Sequence, residues 1–158
     1  MSLANKLMDD YSTFLLILMD DLKSSMKNKD TIRKNTIIMV RAAIKQKEVD
    51  ERKTLTDEEI LEIISKQLKE KRSAIEEFKK GSREDLVKLT ESEMEILLEY
   101  LPKQLSEAEV EEIVKATIKE INATSMKDIG LVMKSVMPKV KGRTDGNMVN
   151  RVVKRILN

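Results

Sequence analysis

Three kinds of side chain in this sequence could do chemistry, and only one of them is concentrated. Ser24-Ser25-Met26-Lys27 has the S-x-x-K spacing of a serine nucleophile with a lysine base. No S-D-N or K-T-G element accompanies it, and helical spacing puts Ser24 and Lys27 on a wet surface. Acidic groups at Asp20-Asp21, Glu58-Glu59 and Glu91-x-Glu93-x-Glu95 could hold a hard cation. On capped amphipathic helices such residues more often serve the helix dipole and solubility. The third kind is basic: between positions 123 and 158, Lys127, Lys134, Lys139, Lys141, Arg143, Arg151, Lys154 and Arg155 stand against only Asp128 and Asp145, a net +6 that leaves −4 for the rest of the chain. Clustered cations of this kind suit a phosphate-rich partner.

Missing residue types exclude more than the present ones suggest. Among 158 residues there is no His and no Cys. A Ser-His-Asp triad, a thiolate nucleophile, the usual zinc sites and iron–sulfur ligation are therefore out of reach. Proton transfer would fall to Asp, Glu, Lys or Tyr with shifted pKa values. No catalytic residue, metal or cofactor is expected. The longest apolar run, Phe14 to Met19, is bounded by Thr13 and Asp20, whereas crossing a bilayer takes about 20 residues. A secretory segment would not be bracketed by Asp9-Asp10 and Asp20-Asp21. These features lead to the expectation of a cytoplasmic protein without a membrane partner.

The elements that must position the basic residues are helices. Two Pro and four Gly in 158 residues, with abundant Lys, Glu, Leu, Ile and Met, leave few breakers, and no stretch of alternating β-branched residues competes. Leu15, Leu18, Leu22 and Met26 form one face. Asp30 caps a second helix with an inward face of Ile32, Thr36, Met39, Val40, Ala43 and Ile44. Thr56 and Glu59 have the capping-box spacing and open a third, striped by Ile60, Ile64, Leu68, Ile75 and Phe78 and closed by Gly81. Ser82 or Asp85 starts a fourth, with Leu86, Leu89, Ile96, Leu97 and Tyr100, which stops near Pro102. Ser106 and Glu109 open a fifth bearing Val110, Ile113, Val114 and Ile121. Ser125 with Asp128 caps a sixth bearing Ile129, Val132, Met133 and Val136, ended by Pro138. A seventh carries Met148, Val149, Val152, Val153, Ile156 and Leu157. The expected class is all-α, with an N-terminal domain over 1–104 and a C-terminal domain over 105–158.

Placed on these helices, the basic residues gain geometry. Asn147, Arg151 and Lys154 share the seventh-helix face opposite the valines, and Lys127 and Lys134 flank Gly130 on the sixth. A phosphate backbone could approach closely at that missing side chain. Equally, Gly130 could let two helices pack tightly and the cations could form a merely solvated face. The segment from Lys139 to Gly146, with Lys141, Gly142 and Arg143 between, could turn several amides toward one anion as a nest. It matches no known phosphate loop, and the nine positions from Pro138 to Gly146 are too many for a helix-turn-helix turn. Aromatic stacking is also unsupported, because Tyr11, Phe14, Phe78 and Tyr100 all fall outside the basic end.

Three motifs carry a resemblance: Glu99-Tyr100-Leu101-Pro102-Lys103-Gln104-Leu105-Ser106; Ser125-Met126-Lys127-Asp128-Ile129-Gly130-Leu131-Val132-Met133; and Met137-Pro138-Lys139-Val140-Lys141-Gly142-Arg143-Thr144-Asp145-Gly146. Together they resemble the YqeY-like (GatB/YqeY) family. Ile75 to Phe78, Arg83 to Leu86 and the Arg33 to Lys45 helix are similar too. The family's usual Ala-Gly stands here as Gly81-Ser82. The resemblance implies an N-terminal helical domain and a three-helix C-terminal domain similar to the tail of the B subunit of tRNA-dependent Asp/Glu amidotransferase, where the tail contacts tRNA and the chemistry occurs elsewhere. A family-level carbon–nitrogen ligase label with glutamine as amide donor would not imply that this chain performs the reaction. The expected role is a non-catalytic tRNA- or RNA-binding module using Lys127, Gly130, Lys134, Lys139, Lys141, Gly142, Arg143, Gly146, Arg151 and Lys154. The alternative is an accessory protein docking on an amidotransferase, a synthetase or another protein partner.

Overall fold

The computed structural model describes residues 13–158, and Asp9, Asp10 and Tyr11 lie outside them. The described residues are all-α, as expected. Their helices are α1 (Thr13–Lys27), α2 (Thr31–Glu51), α3 (Asp57–Lys80), α4 (Glu84–Tyr100), α5 (Glu107–Ile121), a 3-10 turn at Met126–Asp128, α6 (Ile129–Val140) and α7 (Gly146–Leu157). The chain divides into two compact units, the first ending at Tyr100 and the second being Leu101–Asn158.

In the first unit the caps begin helices where the sequence placed them. Asp30 Oδ1 accepts from the Arg33 amide at 3.1 Å. Thr56 and Glu59 form a reciprocal capping box: the Glu59 amide donates to Thr56 Oγ1 at 3.2 Å and the Thr56 amide to Glu59 Oε1 at 3.3 Å. Two orphan donors are thereby satisfied at once. Leu18, Leu22, Ile37, Val40, Ile44, Ile60, Ile64, Leu68, Val87 and Leu97 are buried at the centre of this unit. The face of α2 differs from expectation. Ile37 is fully buried, while Met39 is half exposed and Ile32 is also exposed. Thr36, Val40 and Ile44 face inward as expected, and the Thr36 hydroxyl is satisfied by the Ile32 carbonyl at 2.8 Å. Leu89 likewise faces solvent and Val87 and Thr90 replace it inside.

Among the polar ties across the first unit, two gather at the end of α4. Arg33 forms a two-pronged pair with Glu99, at 2.6 and 3.0 Å. The Arg33 guanidinium holds the Glu99 carboxyl below the usual carboxylate range, and the same hydrogen bonds raise Arg33 further above its already high value. The Tyr100 hydroxyl donates to Asp21 Oδ2 at 2.5 Å. Burial, reinforced by that bond and the Asp21 charge, pushes the phenol well above its usual value.

Helix ends hold a second departure. Four turns place a non-glycine residue in the left-handed region: Lys29 (φ 57°), Arg52 (φ 53°), Ser82 (φ 56°) and Asn122 (φ 57°). Each is followed by an amide that reaches back to close the turn, as Asp30 to Ser25, Lys53 to Glu48, Arg83 to Phe78 and Ala123 to Ile118. Gly81 is the C-cap of α3, but at φ −86° it is not the left-handed residue; Ser82 is. The glycine stands one position too early, so its freedom is not used there, and Ser82 serves this turn while α4 opens at Glu84.

Replacing Lys29, Arg52 or Ser82 by Gly should raise stability by about 0.5–1 kcal/mol each, the relief of left-handed strain less the added entropy of the unfolded chain. Asn122→Gly should gain less, because Asn tolerates this region. Urea midpoints at constant slope measure the series. Tyr100→Phe should cost about 1–2 kcal/mol by leaving Asp21 without its donor. The raised phenol value gives the sign: this contribution is present below the unfolded tyrosine value and fades as pH rises through the folded one. The stability difference between wild type and Tyr100→Phe should therefore shrink in strong alkali.

Candidate nucleic-acid interface

A valine core builds the second unit. Val110 and Val114 of α5, Val132, Val136 and Val140 of α6, and Val149, Val152 and Val153 of α7 are fully buried, with Leu105 joining them. Valine is stiff about χ1, so little rotamer freedom is lost on burial. The 3.6-residue period then decides what faces out. On α7, Asn147, Arg151 and Lys154 are exposed. On α6, Gly130, Lys134, Met137 and Lys141 follow one exposed line, preceded by Lys127 in the 3-10 turn. Leu131 is 53% exposed beside that line.

Local caps set where these helices begin. Ser106 Oγ accepts from the Glu109 amide at 3.2 Å to open α5. Ser125 Oγ accepts from the Lys127 amide at 3.4 Å, and the Asp128 carboxylate accepts from the Thr124 amide at 2.9 Å. Ser125 and Asp128 thus fold the 3-10 turn, and α6 follows directly. Asp145 caps α7, its Oδ1 accepting from Asn147 at 2.9 Å. Pro138 does not end α6 as expected. The helix continues to Val140, whose complete burial gives a reason to tolerate the lost hydrogen bond.

The structure separates the eight cations of the basic end. Lys139 Nζ is held by Glu120 Oε2 at 3.0 Å and Thr117 Oγ1 at 2.9 Å, both on α5. Arg155 is held by Glu107 at 3.3 Å and Glu111 at 3.2 Å on the same helix. The Glu111 carboxyl lies below its usual range mainly through the hydrogen bond from Lys115, with Arg155 adding attraction. Arg143 is half-buried and its Nε donates to the Lys103 carbonyl at 3.4 Å. Lys141 is exposed. Lys127, Lys134, Arg151 and Lys154 are exposed and make no ion pair among the described residues. No sequence signal foretold the pairing of Lys139, because Glu120 lies 19 residues away on another helix.

Gly130 has no packing partner. A Cβ built there meets no heavy atom within 4 Å, so close approach of two helices within this chain does not explain the residue. Gly146 differs, since a Cβ there would lie 3.7 Å from the Met137 methyl, in ordinary contact.

The loop between α6 and α7 is tied inward. Gly142 has φ 74°, the Arg143 amide donates to Val140 O at 2.9 Å, and the Leu105 amide donates to Arg143 O at 2.7 Å. Gln104 Nε2 donates to Gly142 O at 2.9 Å. The Met148 and Val149 amides use Asp145 O at 3.0 and 3.3 Å. Of the loop amides, that of Arg143 already has an internal acceptor, as do those of Asn147, Met148 and Val149 at the start of α7. Gln104, whose part the sequence reading missed, fixes the loop.

Elsewhere, Ser24 and Lys27 are both exposed. No group of three or more acidic side chains converges on a cation site among the described residues. A groove of about 490 Å³ between α2 and α3 is lined by mixed charges including Lys47, Asp50, Lys66 and Glu70. No helix among the described residues is long and apolar enough to cross a membrane.

Comparison with known proteins gives one family. The model described as Yqey-like protein matches residues 17–157. Among relatives, altered inheritance of mitochondria protein 41 of Pyrenophora tritici-repentis is 31% identical over 89% of this chain and 78% of its own length. Its namesake in Vanderwaltozyma polyspora is 35% identical over 85% and 72%, and that of Lachancea thermotolerans 38% identical over 68% and 59%. These names correct the cytoplasmic expectation: the relatives are described as mitochondrial, which points to mitochondria rather than the cytoplasm. Lack of Cys and of a secretory apolar segment does not distinguish one reducing compartment from another.

Gln104→Ala should loosen the loop and cost about 1 kcal/mol, the typical net worth of such a hydrogen bond. Faster amide exchange at Leu105 and Arg143, with α5 and α7 protection largely kept, is the expected pattern in native-state hydrogen exchange.

Proposed function

The chain belongs to the YqeY-like family, and from that premise we propose that it is a non-catalytic RNA-binding module, related in its C-terminal unit to the tail of tRNA-dependent amidotransferase and taking tRNA or another structured RNA. One observation carries the reading: Lys127, Lys134, Arg151 and Lys154 stand exposed and without an ion pair among the described residues, on a unit in which Lys139 and Arg155 are drawn into ion pairs with α5. Cations left without carboxylate partners keep their full attraction for phosphate, and displaced counterions supply the driving force. Lys141 adds charge to the same α6 line. Lys139 and Arg143 take a lesser part here, because each already holds an acceptor of its own. Gly142 gives the loop its left-handed turn at φ 74°, and Gly146 opens α7. The absence of His and Cys supports a role without bond making or breaking.

A second reading has an observation behind it. The first unit exposes Ile17, Met26, Ile38, Met39 and Val49, each more than 40% accessible, and flexible methionines suit adaptable protein contacts. An accessory protein that docks through this unit would present such residues.

The two readings separate by salt. Retention of tRNA on a filter should weaken by about 0.7–0.9 log units per log unit of salt for each phosphate contact made. Lys134→Glu with Arg151→Glu should flatten that slope by roughly two contacts and weaken binding at fixed salt. A protein recovered with the chain at high salt after nuclease treatment, together with no salt-sensitive tRNA retention, would replace the RNA reading with the docking one.

A further inference from the structure

Gly130 lacks a side chain that no packing contact in the fold forbids. It is the second residue of α6, in the first turn of the helix, and a Cβ built there meets no heavy atom within 4 Å. It sits between Lys127 and Lys134, which lie about 10 Å apart along the axis, with exposed Leu131 adjoining and exposed Met137 a further turn along.

We infer that the exposed face of α6 is a close-approach site for the sugar–phosphate backbone of double-helical RNA, with Gly130 the point of nearest contact and Lys127 and Lys134 bonding phosphates on either side. This rests on the RNA reading and narrows it to one nucleic-acid form. Leu131 and Met137 supply apolar surface for ribose. Single-stranded RNA is read by stacking bases on aromatic rings, and the unit Leu101–Asn158 contains no Phe, Tyr or Trp. Major-groove reading of DNA draws on several side chains that bond base edges, above all Arg, Asn and Gln beside Lys, whereas this face presents Gly, Leu and Met with Lys as its one base-edge donor type. An A-form helix offers a wide, shallow minor groove lined with ribose hydroxyls, where a helix lacking one side chain can lie close.

The test uses the full chain with three synthetic probes of about 20 nucleotides per strand: an RNA duplex, one of its strands alone, and the DNA duplex of the same sequence. Wild type should prefer the RNA duplex. Gly130→Ala should weaken that binding about five-fold and Gly130→Leu more. Thermal unfolding should find both variants at least as stable as wild type, since the added carbons meet nothing. Undiminished duplex binding in both variants, or equal or better binding of the single strand or the DNA duplex, overturns the inference while leaving RNA binding itself intact. Wild type that retains none of the RNA probes in a salt-dependent way overturns the broader reading and this one together.

Discussion

Burial of eight valines and Leu105 in the second unit is the constraint on which the basic surface depends. A three-helix unit of 58 residues has little core to spare, so each helix must present its valines inward at one rotation. On α7, Val149, Val152 and Val153 leave Arg151 and Lys154 no direction but outward. On α6, Val132, Val136 and Val140 do the same for Lys134. The cations are thus held on rigid helices, with their backbones positioned by packing rather than by loop conformation. A surface arranged in this way reaches a partner without first paying to order a segment.

Charge is then sorted by α5. This helix carries Glu107, Glu109, Glu111, Glu112 and Glu120 against Lys115 and Lys119, and it packs on both α6 and α7. Its carboxylates take Lys139 of α6 and Arg155 of α7. Exposed pairs of this kind add little to stability. Their larger effect is on the field, because they cancel charge on the α5 side and leave the uncancelled cations on the outer faces of α6 and α7.

Much of the fold was legible because caps and apolar spacing are local signals. Asp30, Thr56 with Glu59 and Ser106 each announce a helix start through a hydrogen bond that spans a few residues. The inward face of α2 was legible at Thr36, Val40 and Ile44 but not at its edges, because Ile32, Ile37, Ile38 and Met39 offer more apolar side chains than one stripe holds and only Ile37 of these is buried. The stop at Pro138 failed because a local rule met a tertiary gain, the burial of Val140. Of the basic residues, the sequence distinguished face from face but not paired from unpaired, since the partners of Lys139 and Arg155 come from a helix distant in the chain.

The placement of glycine bears on why the exposed face of α6 should have a partner at all. Left-handed turns at Lys29, Arg52 and Ser82 would be relieved by glycine and lack it. The first turn of α6 has glycine where a Cβ would meet nothing. Glycine thus stands where the fold's packing does not ask for it and is missing where left-handed backbone would be relieved by it. At Lys29, Arg52 and Ser82 the cost is small enough for a marginally stable chain to carry. At Gly130 the open space comes with flanking cations that make no ion pair among the described residues. A residue without a side chain that touches nothing and lies between two such charges is best accounted for by what approaches from outside.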